Sequence, residues 1–160
     1  MTYRQSTHAQ LDGVIRQAQH LLFNFDGPIR SADTGNPPAP YIHDALAACR
    51  ESGRSAAIVT TTPLVEVRAY LEAHDLPPYS TVITPSIGEA ASALDASPAD
   101  CVMVTRTTSD LESAKSAGVP SIAYAKTYNE ADHLIEAGAA TFMHSMSDLV
   151  LSLRAHPLSS

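Results

Sequence analysis

Positive charge is scarce in this chain of 160 residues. Lysine occurs only at Lys115 and Lys126, and ten Lys and Arg face seventeen Asp and Glu, for a formal net charge of −7. A surface so poor in cations does not suit a nucleic-acid backbone or an anionic membrane. No apolar run approaches the ~20 residues needed to span a bilayer. The opening Met-Thr-Tyr-Arg-Gln-Ser leads into further polar residues and lacks a signal peptide's apolar core, so a cytoplasmic protein is expected. The two cysteines, Cys49 and Cys101, are far apart and show no metal-ligand spacing; buried, reduced thiols are expected. The seven histidines, among them His20, His43, His74 and His133, are equally scattered. Tyr41, Tyr79, Tyr124 and Tyr128 are too dispersed for a base-stacking platform, and neither Gly-x-Gly-x-x-Gly nor a phosphate-cradling P-loop occurs.

What is present fits a folded domain: 44% apolar and 17% charged residues are globular proportions. Short β-branched runs alternate with helical stretches. Strands are expected near 21–26, 56–60, 81–84, 101–105, 121–125 and 140–143. Helices are expected near 41–52, 63–74, 87–94, 110–117, 129–137 and 146–154. That alternation implies α/β architecture, a doubly wound parallel sheet covered on both faces. The punctuation agrees: Thr62-Pro63 offers an N-cap followed by proline. Ser86-Ile-Gly-Glu89 and Ser109-Asp-Leu-Glu112 have capping-box spacing, and Gly53, Gly118 and Gly138 stand where helices close. An amphipathic segment at 6–19 precedes the first strand, to pack on the sheet edge or to serve as a dimer contact. The expected organisation is a helix within 1–20, a core over 21–154 and a tail at 155–160.

Chemistry concentrates at the ends of the expected strands. His20-Leu-Leu-Phe-Asn-Phe-Asp-Gly-Pro-Ile29 reads as an apolar strand ending in Asn24, Asp26 and Gly27. Side chains alternate along a strand, so Asn24 and Asp26 share a face, and Gly27 frees the backbone to turn. Ser55-Ala-Ala-Ile-Val-Thr60 ends a second strand in Thr60, with Thr61 next and a helix N-terminus following, a place that favours anions. Thr84-Pro85 precedes an alanine-rich helix. Cys101-Val-Met-Val-Thr-Arg-Thr-Thr-Ser-Asp110 carries Arg106 and Asp110 off a fourth strand.

These four segments, in this order, resemble the motifs of the haloacid dehalogenase superfamily, and the resemblance runs from about Leu21 to Leu153. It implies a Rossmann-like α/β/α fold and phosphatase chemistry. In that family a first Asp forms an aspartyl-phosphate, a second acts as acid and base, a Ser or Thr and a Lys hold the phosphate, and Mg²⁺ is bound by carboxylates. Carried over by position, Asn24 takes the nucleophile's place and Asp26 the acid's, while Pro28 replaces the usual Thr. Thr60 keeps the hydroxyl, Thr84 stands for the Lys, Arg106 for the first metal acid, and Asp110 remains. About a dozen residues separate Gly27 from the next helix, too few for a cap domain, so an open site is expected.

An amide cannot attack phosphorus, and a guanidinium beside the carboxylates opposes Mg²⁺. Arg106 is therefore expected to pair with Asp26 and Asp110 in the metal's stead, or else to swing out and leave two acids in a polar cleft. Lys126 is expected on the surface rather than reaching inward. The functional expectation is a catalytically inactive pseudoenzyme binding a partner or a small anionic ligand at Thr60, Thr61, Thr84 and Arg106, without a cofactor. The alternative is a weakly active Mg²⁺-dependent phosphatase acting on a small phosphorylated metabolite, with Asp110 as metal ligand.

Overall fold

The computed structural model describes residues 3–76 and 82–158. Six parallel strands form one sheet in the order β3-β2-β1-β4-β5-β6: β1 (His20–Asn24), β2 (Ser55–Val59), β3 (Ile83–Thr84), β4 (Cys101–Thr105), β5 (Ser121–Tyr124) and β6 (Thr141–Met143). Helix α1 (Tyr3–Gln17) precedes β1, α2 (Ile42–Glu51), α3 (Leu64–Ala73), α4 (Ile87–Ala93), α5 (Thr108–Ser116) and α6 (Tyr128–Glu136) run between the strands, and α7 (Met146–Ala155) follows β6. Every expected strand and helix is found, with boundaries shifted by one or two residues. Residue 81 of the third expected strand, and Tyr79, lie outside the described residues.

Strand β1 is central because it is apolar on both faces, as a strand covered by helices on each side must be. Its residues divide by the two-residue period of the pleat. Leu21 and Phe23 join the core with Ile15 of α1, Leu46 of α2, Val67 of α3 and Leu149 of α7. Leu22 faces the other way, toward Ala90 of α4 and Ala114 of α5. The strands beside it follow: Ile58, Val104 and Ile122 on the first face, Ala57 and Met103 on the second. A smaller cluster, with Leu111, Ala123, Leu134 and Phe142, holds α6 to the end of the sheet.

Helix α1 packs on the sheet edge against β6 and α7, the first of the two placements expected for it. Its last turn leaves carbonyls without helical partners. The buried Arg54 side chain supplies donors there, Nη2 to Ile15 O at 3.0 Å, which also accepts the Ala18 N–H, and Nε to Ala18 O just past the helix at 2.8 Å. No helix among the described residues is long and apolar enough to cross a membrane.

Helix starts depart from the sequence reading in two places. Helix α5 begins at Thr108 with Thr107 as N-cap, its hydroxyl accepting from the Asp110 N–H, so the expected Ser109 cap lies one residue inside the helix. Only Arg106 and Thr107 separate β4 from α5, so the first hydroxyl after the strand takes the role. Helix α3 begins after Pro63, not at it. The expected cap, Thr62, instead donates its N–H to Thr60 Oγ1 at 3.1 Å. Ser86 caps α4 as expected, accepting from the Glu89 N–H at 3.2 Å. Gly53, Gly118 and Gly138 follow their helices at positive φ.

Candidate functional site

Because all strands are parallel, their C-terminal ends share one edge, and β2, β1 and β4 are adjacent there. This register brings Asn24, Asp26, Thr60 and Asp110 together without any long loop. No inserted domain stands between β1 and α2. The connection is a tight loop, tied by Gly27 N–H to Arg30 O at 2.8 Å, Ser31 N–H to Pro37 O at 3.0 Å and Ala39 N–H to Ile29 O at 2.9 Å.

Asn24 is only 8% exposed, and its amide is the hub of a polar knot. Nδ2 donates to Asp110 Oδ2 and to Thr105 Oγ1, the latter at 3.3 Å. Thr107 Oγ1 donates to the same Asp110 oxygen at 2.6 Å. Asn24 Oδ1 is buried with no partner among the described residues. Asp26 faces outward. Arg30 grips it through Nε at 2.7 Å and holds Glu66 through Nη1 at 2.9 Å. The guanidinium also lies 4.6 Å from the Phe25 ring centroid. The Asp26 hydrogen bond, more than any other influence, raises the pKa of Arg30 above the ordinary arginine value; burial opposes it and Glu66 adds to it.

Arg106 takes the second of the two placements expected for it, swung out from the acids. It makes no ion pair with Asp26 or Asp110. Its aliphatic stem lies over Gly27, where a Cβ would come within 3.2 Å of Arg106 Cδ, and its guanidinium sits 5.3 Å from the Tyr124 ring centroid. Gly27, at φ +104°, thus serves both a strained turn and a close approach. The outward swing does not leave bare acids in the cleft, because Arg30 serves Asp26 and Asn24 serves Asp110. Arg30 escaped the sequence reading, because only the folding back of the loop after β1 brings it to Asp26. Thr105 and Thr107, flanking Arg106, escaped it too.

The remaining expected residues are dispersed around this edge. Thr60 donates its N–H to Thr84 O at 2.8 Å, so both lie at the rim. The Thr84 hydroxyl is turned to Ser86 O at 2.9 Å, and Thr61 is exposed in the turn after β2. Lys126 is on the surface, 3.4 Å from Asp33. Cys49 and Cys101 are free and buried.

The Mg²⁺ implied by the resemblance is not matched by these donors. A hard divalent cation wants several oxygens, carboxylates foremost. Asp26 is paired with a guanidinium, and Asp110 Oδ2 already accepts an amide N–H and a hydroxyl. The buried Asn24 Oδ1 is one spare oxygen, and no three His, Cys, Asp or Glu converge among the described residues.

A doubly wound sheet with these four motif positions along one edge is the haloacid dehalogenase-like fold. The chain is similar to the phosphoglycolate phosphatases of Salmonella typhimurium and Salmonella typhi, 27% identical over 154 residues that cover 87% of this chain and 59% of each relative. It therefore spans less than two thirds of the length of the curated relatives it matches. Among solved structures it is similar to a haloacid dehalogenase-like family hydrolase from Streptococcus pneumoniae, with TM-score 0.69, 13% identity and coverage of 84% of this chain and 98% of that one. The structure of a predicted phosphatase from Clostridium acetobutylicum gives TM-score 0.67 at 22% identity, covering 76% of this chain and 62% of that one. No protein-family model matches the chain.

Proposed function

We propose that this phosphatase-like chain binds a small phosphorylated or otherwise anionic metabolite at the Asn24–Asp26–Thr60 edge without forming an aspartyl-phosphate. The observation that carries the reading is Asn24. The side chain in the nucleophile's place is an amide whose N–H₂ is spent on Asp110 and Thr105. Covalent catalysis needs an atom there that can attack phosphorus and later leave, and a carboxamide nitrogen engaged as a donor does neither. The engagement of Asp26 by Arg30 supports a site that works without Mg²⁺. Thr60 and Thr61, at the rim beside the first turn of α3, would meet the anion, whereas the Thr84 hydroxyl is spent on Ser86 O.

The test is hydrolysis of p-nitrophenyl phosphate with Mg²⁺, alongside Mg²⁺ titration by calorimetry. The expected outcome is no turnover above a mock-purified control and no saturable Mg²⁺ heat. Activity that disappears on Asp26→Ala overturns the reading.

One observation favours a second reading, weak phosphatase action by direct attack of water. Asp26 is 60% exposed at the mouth of the cleft, where a general base would stand. The same assay separates the two, since only this reading gives Asp26-dependent turnover while Asn24→Ala remains active.

A further inference from the structure

We infer that Arg106, displaced from the cleft, builds a separate receptor for a small organic carboxylate on the far side of the β4–α5 turn. Three independent observations meet there. The first is an unanswered charge. Arg30 and Arg154 have carboxylate partners and Arg54 has carbonyls, but Arg106, half-buried, makes no hydrogen bond or ion pair to any described residue. Only the Tyr124 ring lies against its guanidinium.

The second is a depression of about 290 Å³ lined by Arg106, Thr107, Thr108, Tyr124, His133 and Leu134, with Glu130 in its wall. That volume is at the bottom of the usual range for ligand sites, so the occupant is small. Leu134 offers it an apolar surface and Thr108 a hydroxyl, that of Thr107 being spent on Asp110. A guanidinium lying along an aromatic face keeps a planar fork of N–H groups for a planar, bidentate acceptor, and a carboxylate has that shape.

The third is Glu130, which sets the charge limit. Its carboxylate accepts the Lys126 N–H at 2.7 Å and the Thr127 N–H at 3.3 Å, as part of the α6 capping box. It is held in the wall and does not turn to Arg106. A fixed negative charge beside one cation tolerates a monoanion and opposes a dianion, so a carboxylate is favoured over a phosphate.

Thr107 belongs both to this wall and to the Asn24–Asp110 knot, but the inference does not rest on reading the cleft as a phosphate site. The test is a titration of the full chain followed by amide and arginine side-chain NMR. Acetate and inorganic phosphate serve as separate probes at matched ionic strength. Acetate should give saturable shifts at Arg106 Nε–H and at the Thr107 and Thr108 amides, and phosphate should bind there more weakly. Arg106→Gln should weaken acetate by at least about tenfold, the worth of a charge-assisted contact. Arg106→Lys should retain part of the affinity, and Glu130→Gln should bring phosphate closer to acetate. Arg154→Gln should change nothing. Should Arg106→Gln lose its dispersed spectrum, Arg106→Lys and Glu130→Gln carry the comparison. Acetate binding untouched by the Arg106 variants, phosphate binding tighter than acetate in the native chain, or no saturable shift at these groups overturns the inference.

Discussion

At Asn24 the difference between amide and carboxylate is a donor in place of an acceptor, and that donor is what holds Asp110. Asn24→Asp would set two carboxylates against each other in a mostly buried position. The new acid's folded pKa would rise above its unfolded value. The variant's stability is therefore intact at acid pH and lost as pH rises through that raised pKa. The expected penalty at neutral pH is about 2 kcal/mol, shrinking toward zero near pH 3, read from urea midpoints across pH. Arg106→Asp added to it should not build a Mg²⁺ site, because Arg106 is not the cation in the cleft. The residue whose loss frees a metal ligand is Arg30, so Asn24→Asp with Arg30→Gln is the pair expected to gain Mg²⁺ affinity by calorimetry. Arg30 itself is a modest stabiliser. Its contacts are partly exposed, so Arg30→Gln alone should cost only about 1 kcal/mol.

Among the elements, α1 has the most unusual attachment, since its C-terminal carbonyls are met by a side chain from the start of β2. Arg54 is 4% exposed, and Nη1 has no partner among the described residues. A buried guanidinium with one idle nitrogen is worth having only because it satisfies Ile15 O and Ala18 O. Burial lowers its pKa from the usual arginine value. Arg54→Met fills much of the volume but leaves Ala18 O bare and Ile15 O with the Ala18 N–H alone, at a cost of about 1–3 kcal/mol. Hydrogen exchange should then quicken in α1 before it does so in β1, because the lost contacts belong to the helix. Equal quickening throughout would mean that Arg54 supports the core rather than the helix. Thr107→Val should show the element scale at the other end of the sheet. It removes the α5 cap and one Asp110 donor together, at about 1–2 kcal/mol.

For the whole molecule, stability rests on the two apolar faces of the sheet. Phe23→Ala, at a fully buried ring on the central strand, should cost about 3–5 kcal/mol, against a total that for domains of this kind is about 5–15 kcal/mol. Val65, 81% exposed on α3, should tolerate Ala within about 0.5 kcal/mol. Cys49 gives a pH readout of global unfolding. Desolvation pushes its thiol up to about 12 from the ordinary 9.0, with Arg54 pulling weakly the other way. Its folded pKa is thus raised, so its contribution to stability is complete below pH 9 and falls as pH climbs from there toward 12. Thiol reagents should label Cys49 only at the rate of opening, and faster above pH 9.

The fold was legible in the chain because its determinants are local: two-residue alternation in Leu21–Phe23, the capping hydroxyl at Ser86, glycines just past helix ends. The shared edge of Asn24, Asp26, Thr60 and Asp110 followed too, since in a parallel sheet strand-end positions converge once strand order is known. Three-dimensional packing alone decided which cation meets which acid. The 25–39 loop folds back by backbone hydrogen bonds and delivers Arg30 to Asp26, while Gly27, lacking a Cβ, opens the space into which the Arg106 stem lies. Both outcomes depend on distances between side chains that are fixed only when the loop and the sheet pack together, and a linear spacing of charges does not encode them.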